Sequence, residues 1–233
     1  MNILVTGATK GIGKVIAEEL LTKGNVFITG RNESVLKSSQ CNGFCVCDLT
    51  TNINTLAKFI QDNKIDVLIN NAGEYIYGGI ESMSEEQIEH ICNTNLIAPI
   101  RLISACVPYM KSQKFGRIIN IGSISGVMGE AFASLYSSTK SGLIGLTKAL
   151  ALELAEHNIT VNTINPGWVD TELGNDSIEQ SEFSKDEIIE TIPQRRFVEP
   201  VEVANLVKYL ISDEAKGITG QSINLCAGLS VGI

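Results

Sequence analysis

Hydrophobic residues follow two rhythms along this chain. Short apolar runs recur at NILVT (2–6), NVFIT (25–29), GFCVC (43–47), DVLIN (66–70), RIINI (117–121), ITVNTI (159–164) and SINL (222–225). Between them, apolar residues at helical spacing predict helices over 12–23, 33–38, 52–62, 84–111, 134–157, 177–190 and 200–211. Strands that alternate with helices run parallel, because each parallel connection needs a crossover. The expectation is an α/β domain with about seven parallel strands, doubly wound, flanked by helices on both faces.

Residues 171–200 break this rhythm. The stretch is polar and acidic, with only a weak helical pattern at SKDEIIETI. It follows the C-terminal end of a strand, where open α/β sheets place substrate-covering elements. No repeat or low-complexity tract interrupts the rest, so residues 1–233 read as one domain.

Composition narrows the partners. With 18 Lys+Arg against 26 Asp+Glu the formal charge is −8, which repels nucleic acid and anionic lipid surfaces. No uninterrupted apolar run reaches the ~18 residues that suggest a membrane span. Strand-like sequence begins at Asn2, ahead of which a leader peptide has no room, and a cytoplasmic location is expected. Cys41, Cys45 and Cys47 form C-x3-C-x-C, which matches no paired zinc pattern, so reduced thiols and no metal are expected. The histidines, His90 and His157, are solitary and read as surface residues.

Candidate chemistry starts after the first strand, at Thr6-Gly7-Ala8-Thr9-Lys10-Gly11-Ile12-Gly13, which runs straight into a helix. Glycines there let backbone N–H groups and the helix N-terminus approach a pyrophosphate without Cβ interference. The second strand ends at Thr29-Gly30-Arg31, where a dinucleotide fold meets the adenosine ribose. An acid there would bind both ribose hydroxyls and repel a 2′-phosphate; Gly30 holds its place, with the Arg31 cation adjacent and Lys10 within reach. The rival acid, Glu33, reads as the first turn of the next helix behind Asn32. NADP(H) is therefore preferred, with NAD(H) possible.

The other end of the chemistry lies in SLYSSTKSG, residues 134–142, where Tyr136 and Lys140 stand one helical turn apart. Reducing a ketone by hydride transfer leaves a negative oxygen that needs a proton in the same step. A free phenol has a pKa near ~10, and an adjacent ammonium is expected to draw it toward neutrality. Tyr136 is thus the expected acid for reduction and base for oxidation. Ser123 ends the strand RIINIGS, from which its hydroxyl can donate to the developing oxyanion.

From Asn2 to about Gly228 the chain resembles the short-chain dehydrogenase/reductase family, which implies a Rossmann-type sheet. TGATKGIG resembles the family's cofactor loop, implying contacts from Gly7, Thr9, Lys10, Gly11, Ile12 and Gly13. Asp48, with Leu49 beside it, matches the adenine-contacting acid, and INNAG matches the central-strand motif of Asn71, Ala72 and Gly73. Ser123, Tyr136 and Lys140 match the catalytic set, with Lys140 also implied to hold the nicotinamide ribose. NPGWVDT, with Pro166, Gly167, Val169 and Thr171, matches the stretch bordering the nicotinamide. Asn95 matches the asparagine that holds a water against the lysine; its plain alternative is to bend its helix and satisfy a backbone group.

Within that family, IPQRRFVEPVEVA (192–204) is most similar to the 3-oxoacyl-thioester reductases. The resemblance implies an NADP(H)-dependent enzyme, in the class acting on CH–OH groups, that interconverts a ketone and a secondary alcohol. Its substrate would be carried on an acyl carrier protein or CoA, with sugars, polyols, steroids and polyketides as alternatives. An acidic carrier needs a local basic patch, for which Lys111, Lys114, Arg117, Arg195 and Arg196 are the suppliers. A silent NADP(H) sensor of the same fold would lack Ser123, Tyr136 or Lys140, and all are present. The resemblance further implies a homo-oligomer, a tetramer or dimer, built on the long helices 84–111 and 134–157.

Overall fold

The computed structural model describes residues 1–180 and 183–231. Seven strands form one parallel sheet: β1 (Asn2–Thr6), β2 (Asn25–Gly30), β3 (Gly43–Val46), β4 (Val67–Asn70), β5 (Gly116–Ile121), β6 (Ile159–Pro166) and β7 (Ser222–Leu225). Their order is β3-β2-β1-β4-β5-β6-β7. The chain winds outward to β3, then returns across β1 to pair β4 on its other edge, with Leu4 beside Leu68 and Val5 beside Ile69. That reversal splays the connections leaving β1 and β4 and opens a crevice at their C-terminal ends.

Among the described residues, ten α-helices accompany the strands: α1 (Gly11–Leu20), α2 (Glu33–Ser38), α3 (Ile53–Asn63), α4 (Glu85–Cys92), α5 (Ala98–Gln113), α6 (Ser125–Met128), α7 (Ser134–Leu154), α8 (Glu172–Gln180), α9 (Lys185–Thr191) and α10 (Pro200–Leu210). Alternate strand residues serve opposite faces. Ile3 and Val5 pack with Ile16 and Leu20 of α1 and with Val203 and Val207 of α10. Leu4, between them, packs with Leu56 of α3, Leu102 of α5 and Leu154 of α7. Both faces are covered, which is why these strands read as continuous apolar runs.

Two predicted helices are divided. The span 84–111 is α4, a π-helical turn at Asn93–Ile97, and α5. Pro99 has no N–H to give the carbonyl of Asn95, so the regular ladder cannot continue there. The whole stretch Glu85–Gln113 is long and apolar enough by composition to cross a membrane, yet Leu102, Ile103, Cys106 and Met110 are buried in the core. The span 177–190 is α8 and α9, the second started by a capping box in which Ser184 and Glu187 satisfy each other's backbone N–H groups.

Surface expectations are corrected in three places. His90 is not solitary, because its Nε2 lies 2.6 Å from Oε2 of Glu74. Arg117 cannot join a basic patch: it is buried, donates to the carbonyls of Gly116 and Asn158, and stacks on Phe115. Arg196 is held by both carboxylate oxygens of Glu202, at 2.6 and 2.9 Å. Lys111 and Lys114 end α5 where β5 begins, at the sheet edge opposite the crevice. All six cysteines are free thiols, and burial pushes those of Cys45 and Cys47 up.

Candidate active site

One cleft of about 680 Å³ runs along the C-terminal edge of the sheet, bringing together the glycine loop, the ends of β2, β4, β5 and β6, α7 and residues from 171–177 and 183–191. Its nucleotide end is made of close backbone approaches. A Cβ on Gly13 would stand 2.3 Å from Nδ2 of Asn71 and 2.5 Å from the Gly7 carbonyl. A Cβ on Gly7, whose φ is +63°, would stand 2.8 Å from Cα of Ala72. Asn71 locks the loop by donating to the carbonyls of Thr6 and Gly7, and Oγ1 of Thr6 accepts from the N–H groups of Asn71 and Ala72. The cradle leaves the start of α1 open for an anion, as a pyrophosphate requires.

At the ribose end, Gly30 packs under Thr9, whose Cγ2 would stand 2.8 Å from a Cβ there. Asn32 caps α2 by accepting from the N–H groups of Ser34 and Val35, and Glu33 pairs with Lys37 on that helix, outside the lining of the cleft. Both candidate phosphate cations are engaged: Lys10 with Glu172 at 3.0 Å and Arg31 with Glu74 at 3.1 Å. All but the Glu74 carboxylate are more than half exposed, so these pairs are weak. Asp48 is turned onto Thr50, whose hydroxyl and N–H hold its carboxylate below the ordinary range, helped by the charges of Arg31 and His90. Leu49 lines the cleft beside it.

The catalytic candidates converge at the other end. Tyr136 and Lys140 lie one turn apart in α7, and Nζ of Lys140 is 5.5 Å from the centre of the Tyr136 ring. Nζ donates to the carbonyl of Ile121, and burial lowers its pKa to about 8. The phenol corrects the expectation of a lowered pKa. Burial pushes it up to about 12, a hydrogen bond with Ser123 lowers it, and the Glu130 carboxylate raises it. It is therefore a neutral donor at pH 7. Asn95 donates from Nδ2 to the Glu74 carbonyl and accepts at Oδ1 from the Glu74 N–H, which fixes the chain after Gly73. A Cβ on Gly73 would stand 3.3 Å from Nζ of Lys140 and 3.4 Å from Oδ1 of Asn95, so the two side chains meet around that glycine.

Pro166 ends β6, and Gly167 beneath it closes on Cys226, whose Cα would lie 2.9 Å from a Cβ. Val169 bridges to Val198, and the Thr171 hydroxyl caps the start of α8 at the N–H of Gly174.

Sequence reasoning missed two groups. Asn70 donates to Asn120, Asn120 to Thr147, and Thr147 shares a hydrogen bond with Thr163, a fully buried ladder that ties β4, β5 and β6 to α7 and so fixes the helix carrying Tyr136. No motif marks it; the signal was polar residues inside apolar runs. Glu130 and Tyr75 also line the cleft, and Tyr75 packs edge-on against Tyr136 with ring centres 5.0 Å apart.

The family model described as short chain dehydrogenase matches residues 1–182. This chain belongs to the short-chain dehydrogenase family. It is 36% identical over 242 residues to the 3-oxoacyl-[acyl-carrier-protein] reductase FabG of Staphylococcus epidermidis, covering 98% of each chain. Its structure matches an actinorhodin polyketide ketoreductase crystallised with NADPH, at TM-score 0.91 and 35% identity, over 98% of this chain and 96% of that one. It also matches the aldohexose dehydrogenase of Thermoplasma acidophilum, at TM-score 0.90 and 31% identity, over 100% and 94%.

Proposed function

We propose that this chain is an NADP(H)-dependent carbonyl reductase that turns a ketone into a secondary alcohol. The observation that carries the reading is the meeting of Ser123, Tyr136 and Lys140 at one end of a cleft whose other end is a glycine cradle with Arg31 at its rim. When bound, the dinucleotide supplies the hydride. Gly7, Thr9, Gly11, Ile12 and Gly13 would hold its pyrophosphate region, Lys10 and Arg31 the 2′-phosphate, and Asp48, Leu49, Asn71, Ala72 and Gly73 its adenosine end. Pro166, Gly167, Val169 and Thr171 would border the nicotinamide. That several solved relatives carry NADPH or NADP supports this choice of cofactor.

The protein's own part is proton supply and orientation. Ser123 donates to the carbonyl oxygen and holds it beside the Tyr136 hydroxyl, which gives up its proton as the oxygen becomes negative. Lys140 then faces a phenolate, and its charge stabilises that product. Asn95, whose amide is spent on the Glu74 backbone, positions the chain next to Lys140.

Similarity to 3-oxoacyl reductases and to a polyketide ketoreductase supports an acyl thioester or polyketide carbonyl as substrate. Docking of an acidic carrier has little support, since Arg117 is buried and Arg196 is paired. A polar substrate such as a sugar or polyol is the second reading, favoured by the Glu130 carboxylate inside the cleft. Exposed Ile100 on α5 and Leu152 on α7 support a homo-oligomer. Steady-state assays with 3-oxoacyl-CoA, 3-oxoacyl carrier protein, diketones and keto sugars, each with NADPH and NADH, test the proposal; absence of turnover with every carbonyl overturns it.

A further inference from the structure

The cleft contains a carboxylate that the reduction does not use. Glu130 stands in the loop between α6 and α7. Its Oε1 accepts from the Tyr75 hydroxyl at 2.7 Å, and its Oε2 accepts from Oγ of Ser125 at 2.6 Å. Ser125 in turn accepts from Oγ of Ser123 at 3.1 Å. Two other segments thus converge on this acid from outside its own loop: the loop after β4 and the first turn of α6.

Two features set this acid apart from a structural one. Among the described residues no Lys, Arg or His pairs with it, although it is half buried and shares its wall with Tyr77, Met128 and Phe132. An ionised carboxylate so placed is costly unless its lone pairs are used. Two of roughly four acceptor positions are filled by hydroxyl donors. Its charge also opposes the Tyr136 phenolate, so proton transfer gains nothing from it.

Two hydrogen bonds separate this carboxylate from Oγ of Ser123, a reach of no more than roughly 6 Å. We propose that Glu130, held by Tyr75 and Ser125, accepts a hydrogen bond from a hydroxyl or ammonium group that the substrate carries two or three bonds from its reacting carbonyl. The inference rests on the carbonyl-reductase reading and narrows its substrate: donor-bearing ketones are favoured over plain alkyl ketones and over ketones with a neighbouring carboxylate. A site built to pair a substrate donor rejects the analogue that lacks it, because the half-buried acceptor is then left unmet.

Butanone, hydroxyacetone and aminoacetone differ at a single group, and each can be assayed with NADPH. The parent chain is expected to prefer the two donor-bearing ketones by about tenfold or more in kcat/KM. In Glu130→Ala both preferences should fall to within about twofold. Glu130→Gln, which keeps the shape and removes the charge, should lose preference for aminoacetone first; loss confined to that ketone assigns an ammonium, and loss for hydroxyacetone as well assigns a hydroxyl. Equal use of all three by the parent chain, or preferences unchanged in Glu130→Ala, overturns the proposal. A merely structural acid would slow the three ketones alike and leave their ratios fixed. Failure of the parent chain to reduce any of them, or any 3-oxoacyl thioester, overturns the reductase reading and this inference with it.

Discussion

The two ends of the cleft are built from different materials. The nucleotide end is backbone: glycines at positions 7, 13 and 30 let chains approach where a Cβ would collide, and the Asn71 side chain stitches that backbone together. The carbonyl end is side chain: a phenol, an ammonium, hydroxyls and a carboxylate, aimed by α7 and by short loops. A backbone site tolerates almost no change at its glycines but is indifferent to many side chains around it. A side-chain site has the reverse weakness, since each group can be deleted with the fold left standing.

The sharpest test of that contrast is Tyr136→Phe. Ring packing against Tyr75 survives and the proton donor is gone, so kcat should fall by about 10²–10⁴-fold while NADPH still binds, read from nicotinamide absorbance and a fluorescence titration. Gly13→Ala attacks the other end. Its Cβ has neither the space beside Asn71 nor the freedom to move the Gly7 carbonyl, so a loss on the order of 1–3 kcal/mol is expected in cofactor affinity or thermal stability. Calorimetry and an NADPH titration would show it, and a fully tolerated alanine would mean the cradle is looser than described.

Arg31→Ala tests the contrast from within, because the proposed function gives a side chain the choice of nucleotide at the backbone cradle. The NADPH KM should rise about tenfold, as for loss of one charge-assisted hydrogen bond, with the NADH KM changed less than about twofold. Equal effects would place the phosphate elsewhere. The smallest effect is one of pH. Lys140 carries its charge below about 8 and loses it above, because burial disfavours the ammonium. The pH profile of kcat/KM for reduction should therefore be flat on the acid side and fall to roughly half near pH 8. Folding responds with the opposite sign: stability from this group increases as pH rises from about 8 toward the unfolded value, since only the unfolded chain then keeps the proton.

Much of the molecule was legible in the sequence. All seven strands fell within about two residues of their predicted bounds, because buried parallel strands leave an uninterrupted apolar record. The glycine loop and the Tyr136–Lys140 pair were legible because local spacing alone fixes their geometry. Asn95 was placed in a long helix, and that helix carries a π turn there, a consequence of Pro99 and of a bond to Glu74 that no periodicity records.

By itself, the order of residues determined the sheet, its crossovers, the cradle and the one helical turn that joins Tyr136 to Lys140, since each depends on neighbours in sequence. Only the tertiary structure decided that Arg117 is buried, that Arg31 and His90 share Glu74, that the phenol stays protonated, and that Glu130 enters the cleft. Charge and desolvation act through space, and the groups that set them arrive from segments far apart along the chain.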